Sequence, residues 1–297
     1  MYELRFAASR GLGASAITGL QGLLDACAAK DKFSIPENFD KNFNIANMDS
    51  WFLAYDGDEL CGMISIFAPD PLEAELIAAV HPDWRRNGVF GQLLEMAEKE
   101  LKEHGYKSLL FANHPAARLA ALAAANRGAR YEFSEYTLVF ESDIDVEKRI
   151  AECCKTLSEA SEKIAVRKAA KSDAEAIAAV LANAFAASFE EELAFVRHSL
   201  DHEMRSLYVL TYKGKNIACI GHVVEEDGHY INAFAVDKAY QTKGYGKMLL
   251  AYMIAKILES SNLIKMDVDS KNDSAFALYR SMGFKVLKST DYSRLNL

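Results

Sequence analysis

Residues 75–94 and 231–250 repeat one plan at a fixed offset of 156. Val80 falls opposite Val236, Trp84 opposite Tyr240, Arg85 opposite Gln241, Gly88 opposite Gly244, and Leu93-Leu94 opposite Leu249-Leu250. In each copy an apolar run ends at the valine, a short polar turn follows, and a glycine precedes leucines at helical spacing. The second copy carries that spacing on through Met248, Met253, Ile254 and Ile257. Each copy therefore reads as strand, glycine-containing turn, helix, and the chain as two similar units in tandem. With 297 residues, 51% of them hydrophobic, there is enough chain for two ordinary cores.

The first turn of a helix leaves backbone N–H groups without intrahelical partners and carries the positive end of the helix dipole, so the turn suits a phosphate or pyrophosphate. Gly244 and Gly246 lack a Cβ, which lets an anion approach the backbone. The spacing is neither GxxxxGK[ST] nor GxGxxG, which disfavours a nucleoside-triphosphate loop and a dinucleotide fingerprint. Two glycines that serve packing alone are the plain alternative.

A net charge of −8 argues against nucleic acid as the main partner. Cys27, Cys61, Cys153, Cys154 and Cys219 are odd in number and lie mostly in apolar runs, which suits reduced thiols in a cytosolic protein. Adjacent Cys153-Cys154 have no second pair and no nearby histidine, so no metal site is expected. An acid and a base interrupt the opening Met1-Tyr2-Glu3-Leu4-Arg5-Phe6, unlike a signal peptide. No apolar run approaches the roughly 20 residues of a membrane span. A soluble, cytoplasmic protein without a membrane partner is expected.

In the first half, 14–29 and 36–46 read as helices, 51–55 and 61–67 as strands joined at Asp56-Gly57-Asp58, and Leu93, Leu94, Ala97 and Leu101 as the buried stripe of a helix. A strand at 107–112, an alanine-rich helix at 116–126 and a final strand at 128–141 follow. Residues 142–163 are rich in charge and in Ala, Ser and Cys, and the spacing of Ile144, Ile150, Leu157 and Ile164 suits a connecting helix that packs one edge on a domain. The second half gives helices at 174–187 and 190–201, then strands at 208–212, 217–224, 228–236, 263–268 and 284–288. The expected division is 1–141, 142–162 and 163–297.

Gln241, Gly244 and Gly246 together form Gln, two residues, Gly, one residue, Gly. Downstream stand Asn272, Ala275, Leu278, Tyr279, Gly283 and Phe284; upstream, Ile164-Ala165-Val166-Arg167-Lys168-Ala169 precedes Asp173-Ala174 and the periodic Ile177, Val180 and Leu181. These three ordered groups resemble the GNAT superfamily of acyl-CoA-dependent N-acyltransferases. The resemblance covers Ile164 to the C-terminus and reaches the first half through the repeat. It implies an α/β (α+β) fold class: two tandem GNAT folds, each a mixed, mostly antiparallel central sheet flanked by helices.

The resemblance also implies an N-acetyltransferase that moves an acetyl group from acetyl-CoA to a primary amine by direct attack in a ternary complex. Backbone amides at Gln241, Thr242, Lys243, Gly244, Tyr245 and Gly246 would hold the pyrophosphate. The backbone at Ala235 and Val236 would pair with the pantetheine arm and polarise the thioester carbonyl. Asn272, in one motif with Ala275, would orient the pantetheine. Tyr279 would protonate the leaving thiolate, since a phenol near pKa 10 is protonated at neutral pH. A small-molecule or peptide amine is the implied acceptor, and a monomer or a homodimer both fit. Plainer roles stand beside these: Tyr279 as core, Asn272 as helix cap, Lys243 as a solvated charge.

The copies differ in ways that bear on activity. Phe90 stands opposite Gly246, and Ala124 opposite Tyr279 when Gly128 is set on Gly283; Asn113 alone is left to stand in for Asn272. The first copy is therefore read as degenerate and the second as active. No general base stands out: Ile231 and Asn232 occupy the central strand, with Glu225, Glu226, Asp227, His222 and His229 nearby and Glu75 in the first copy. The alternative function is a non-catalytic acyl-CoA-binding sensor or scaffold.

Overall fold

The computed structural model describes residues 4–35, 44, 47–68, 72–160 and 163–297. It divides into two compact units, Met1–Glu135 with Ser289–Leu297, and Tyr136–Lys288. The helix expected at 36–46 lies, but for residue 44, outside the described residues.

The first unit contains β1 (Leu4–Ser9), α1 (Ala14–Asp31), β2 (Trp51–Asp56), β3 (Glu59–Phe67), β4 (Glu73–Val80), α2 (Val89–Glu103), β5 (Ser108–Asn113), α3 (Arg118–Asn126) and the start of β6 (Arg130–Phe140). Its strands run in the order β1-β2-β3-β4-β5, antiparallel except for the parallel pair β4/β5. The predicted stripe of α2 is fully buried and packs with Phe52, Ile64 and Leu76. α1 buries Leu20, Leu23 and Cys27 in a separate cluster with Trp51, Leu53 and Met63. Alternation along the strands thus supplies two apolar faces, each covered by a helix.

The second unit contains α4 (Ile144–Glu159), β7 (Ile164–Lys168), α5 (Ala174–Phe185), α6 (Phe189–Asp201), β8 (Arg205–Tyr212), β9 (Lys215–Glu225), β10 (Gly228–Val236), α7 (Tyr245–Leu258), β11 (Ile264–Asp269), α8 (Asp273–Ser281) and the start of β12 (Phe284–Asn296). The order is β7-β8-β9-β10-β11, with β6 next to β11; here β10/β11 is the parallel pair. α4 and α7 share a core cluster with Ile220, Ile231 and Met266, while α5 and α6 share another with Leu207, Val209 and Ala235. Each unit is a mixed, mostly antiparallel sheet flanked by helices.

Two features depart from the expected division. The segment expected as a connector is α4, capped by Asp143 Oδ1, which accepts from Asp145 N and Val146 N, and it buries Val146, Ile150 and Leu157 in the core of the second unit. The strand expected to end at 288 runs to Asn296, and Asp291–Asn296 pair antiparallel with β5 of the first unit. There Phe133 stacks on Tyr292 at 4.7 Å, Ser134 donates to Asp291 at 2.6 Å, and Arg294 pairs with Glu73 and Glu132. β6 likewise ends in the second unit, where Phe140 meets Phe284 edge-on at 5.6 Å. The compact units are therefore not contiguous in sequence, and the divisions at 141, 162 and 163 do not coincide with theirs.

Candidate functional site

Parallel pairing between β10 and β11 ends at Ile231↔Met266, although β10 runs on to Val236 and β11 to Asp269. The strands part there, and among the described residues no strand pairs with 232–236 on the β11 side. On the other edge of β10 the register with β9 breaks between Asn232 and Ala235. This is a β-bulge, and Ala233 sits in it at φ +46°, a region that costs an L-residue about 1 kcal/mol or more. A bulge redirects the backbone where it occurs. Its side effect is visible in Gly221, where a Cβ would lie 2.8 Å from Leu207 and closer still to the Asn232 side chain.

After Val236, Asp237 caps a single 3-10 turn, Lys238–Tyr240, by accepting from Ala239 N at 2.9 Å. Gln241 Nε2 donates back to the Val236 carbonyl at 3.0 Å, fastening the loop to the strand. Thr242 at φ +60° and Gly244 at φ +85° then reverse the chain into α7. Gly244 is the N-cap and makes no side-chain cap, so among the described residues the amides of the first turn are left without a capping side chain. A Cβ on Gly244 would meet nothing within 4 Å, whereas one on Gly246 would lie 3.4 Å from Val236, 3.6 Å from Phe234 and 3.7 Å from Leu278. Gly246 is thus where β10, α7 and α8 converge. Lys243 donates to the Ala239 carbonyl at 2.7 Å with its ammonium 5.3 Å from the Tyr240 ring centre, so it braces the loop. Thr242 likewise donates to the Gln241 carbonyl at 2.7 Å, and Tyr245 packs on Tyr212 at 5.8 Å.

Asn272 is the N-cap of α8, its Oδ1 accepting from Ala275 N at 3.1 Å and from Ser274 Oγ at 3.2 Å. The amide of Ala275 is thereby used within the helix. Tyr279 is 7% exposed, its ring 6.0 Å from Phe234 and 6.3 Å from Phe284. Burial pushes its phenol up to about 12, above the value of 10 expected for a free side chain. Phe234 therefore links Tyr279 to the bulged strand.

Four of the candidate bases, Glu225, Asp227, His222 and His229, are engaged with other side chains. Lys265 holds Glu225 at 3.2 Å and Asp227 at 3.0 Å, and Glu226 is exposed in the turn. His222 and His229 share a hydrogen bond, Nδ1 to Nδ1, at 3.0 Å. Burial, aided by His229, Lys168 and Lys256, lowers His222 to about 4, and burial lowers His229 as well. Sequence reasoning missed Tyr230, which donates to the Asp267 carboxylate beside the last β10/β11 rungs. It also missed Glu192 on α6, in a cavity with Ala233.

The first unit reproduces part of this geometry. β4/β5 pairing ends at Leu76↔Phe111, Arg86 and Gly88 stand at φ +64° and +81°, and Arg85 Nε donates to the Val80 carbonyl at 2.9 Å. The β3/β4 register, however, runs unbroken from Phe67↔Glu75 to Gly62↔Val80. The Arg85 guanidinium is held by Asp31 at 2.8 and 2.6 Å, and Ala124 is fully buried where the second unit has Tyr279.

The family model described as "Acetyltransferase (GNAT) family" matches residues 23–123 and 174–284. Among solved structures, a GCN5-related N-acetyltransferase from Sphaerobacter thermophilus aligns over 98% of this chain and 95% of its own, with a TM-score of 0.71 at 15% identity. A tandem GNAT protein from the clavulanic acid biosynthesis pathway aligns over 99% of this chain and 98% of its own, with a TM-score of 0.69 at 15% identity. At such identities the likeness is one of fold. An uncharacterized protein of Mycobacterium leprae is 32% identical over 100 residues, which are 34% of this chain and 26% of that protein. The match thus spans about a quarter of that relative's length. Matched in both of its halves by the same family model, the chain belongs to the acetyltransferase (GNAT) family.

Proposed function

We propose that the second unit transfers an acetyl group from acetyl-CoA to a primary amine of a small molecule or peptide, by direct attack in a ternary complex. One observation carries this reading: the bulged, parted end of β10 leads, through one short turn and a left-handed glycine, into a helix without a side-chain cap. The residues fit coenzyme A. First-turn amides without a capping side chain and open space at Gly244 suit a diphosphate, and the backbone at Ala235 and Val236, beside the gap, suits the amides of a pantetheine arm. Bound there, acetyl-CoA supplies an activated acyl thioester.

The chain then has three tasks. Backbone N–H groups near the bulge stabilise negative charge on the thioester oxygen as the amine nitrogen attacks the carbonyl carbon. Phe234 and Tyr279 exclude water from the reacting centre. As the C–S bond breaks and its electron pair moves to sulfur, the Tyr279 hydroxyl donates a hydrogen bond to that sulfur. A phenol near 12 holds its proton firmly, so this donation precedes any transfer. Purified protein assayed for thiol release from acetyl-CoA, with and without a panel of amines, tests the reading. Amine-dependent thiol release is expected. Binding of CoA without turnover would favour the sensor or scaffold reading instead.

A further inference from the structure

We infer that Cys219 is a positioning residue for the transfer: its thiol, clamped on the bulge of β10, turns the Phe234 N–H into the gap where the thioester carbonyl is assigned. This rests on the reading that acetyl-CoA lies along β10. Cys219 of β9 is the register partner of Ala235, and its thiol donates to the Ala233 carbonyl at 3.3 Å. The 233–234 peptide unit is trans, and in a planar trans peptide the C=O and the N–H point opposite ways. A carbonyl drawn towards β9 therefore sends the Phe234 N–H towards β11, the side on which no strand pairs with 232–236 among the described residues. An amide held there is placed to donate to a thioester oxygen as negative charge builds on it.

A buried thiol ordinarily finds a carbonyl, and Cys27 and Cys61 do so at Val80 (3.4 Å) and Ala54 (3.3 Å). Cys219 differs in the residue it holds. Ala233 stands at φ +46°, a conformation an L-residue keeps only where its surroundings enforce it. The thiol enforces it at two points, donating to the carbonyl of Ala233 and accepting from the amide of Ala235, one on either side of Phe234. Burial pushes the thiol up to about 12 against the pull of the Ala235 amide, and the charge of Glu192 adds to the rise. The sulfur thus keeps its proton and remains a donor through neutral pH.

The clamp is itself held. Cys219 is 0% exposed, in one core cluster with Ile177, Leu181, Val196 and Leu207, so its side chain has no room to swing away. Gly221, two residues along the same face of β9, makes space for Asn232, where the register breaks. A serine hydroxyl can both donate and accept as the thiol does, whereas alanine and valine can do neither.

The test records, by difference infrared spectroscopy, the carbonyl stretch of bound acetyl-CoA isotope-labelled at its carbonyl carbon, in wild type, Cys219→Ser, Cys219→Ala and Cys219→Val, alongside the Kd of unacylated CoA. A hydrogen bond to the thioester oxygen lowers that stretch, so the wild-type band is expected below that of free acetyl-CoA, with Cys219→Ser close to it. In Cys219→Ala and Cys219→Val the band should return towards the free position while the CoA Kd is unchanged. Two apolar variants of different volume keep the test open if one of them does not fold. Bands that stay at the wild-type position in both would reduce Cys219 to packing and overturn the inference, with the transferase reading intact. A wild type that binds no acetyl-CoA brings down the transferase reading itself.

Discussion

Gln241 holds the Val236 carbonyl through its side-chain amide at 3.0 Å. Arg85, at the repeat-related position of the first unit, makes the same bond to Val80 at 2.9 Å. The fastening of loop to strand is thus common to both copies, yet what surrounds it is not. Arg85 is also spent on Asp31, and β4 pairs with β3 without a break in register, so the proposed function assigns the thioester to the second unit.

One equivalent of CoA per chain is therefore expected by calorimetry. Gly244→Asp should abolish that binding, because it sets a carboxylate beside the diphosphate at a backbone with φ +85°. Gly88→Asp introduces the same strain at φ +81° and should leave the stoichiometry and Kd unchanged. Two equivalents in the wild type would contradict the assignment of activity to the second unit alone.

Tyr279→Phe keeps the ring that packs on Phe234 and Phe284 and removes only the hydroxyl. Fold and CoA affinity should persist while kcat falls by about 10²-fold. Because burial holds the phenol near 12, no alkaline limb below pH 10 should be traceable to it. A variant as fast as wild type would reduce Tyr279 to a core residue.

Sequence made the Gly244 turn and the Asn272 cap visible, because left-handed backbone favours glycine and exposed first-turn amides favour a short polar side chain. The bulge at 232–235 left no such trace, since Ala233 adopts its positive φ without being glycine. The exchange of strand ends was equally silent. Alternation in 284–296 tells which side chains share a face and says nothing of which neighbour supplies the hydrogen bonds. Glu192 was hidden for a third reason: in sequence it is one of three consecutive glutamates, and only burial separates it from the other two.

His222 offers a test by pH. Its folded pKa near 4 lies below the ordinary 6.5 because burial, the neighbouring His229 and two lysines oppose its charge. The unfolded chain therefore binds a proton that the folded chain refuses, so stability present above pH 6.5 is lost as pH falls from 6.5 towards 4. Urea unfolding of wild type should show that loss, and His222→Gln should show less of it. Turnover by His222→Gln at pH 7.5 should match wild type, since His222 is bonded to His229 and takes no part in the proposed transfer. A large fall in kcat would make it a base after all.

The last nine residues carry the most exacting test of the architecture. Asp291–Asn296 supply the antiparallel neighbour of β5, Tyr292 stacks on Phe133, Arg294 pairs with Glu73 and Glu132, and Leu295 and Leu297 pack on the first core. Ending the chain after Lys288 removes all of these together and opens β5 to water. Amide protection at Ser108–Asn113 should collapse in hydrogen-exchange measurements, while protection in β9 and β10 persists. Tyr292→Ala is the milder form: Tyr292 is 8% exposed, and truncating so large a buried side chain costs about 3 kcal/mol. That loss should show as faster exchange in β5, with CoA binding by the second unit intact. If the shortened chain keeps its protection at 108–113, the C-terminal strand is an appendage and the first unit is complete without it.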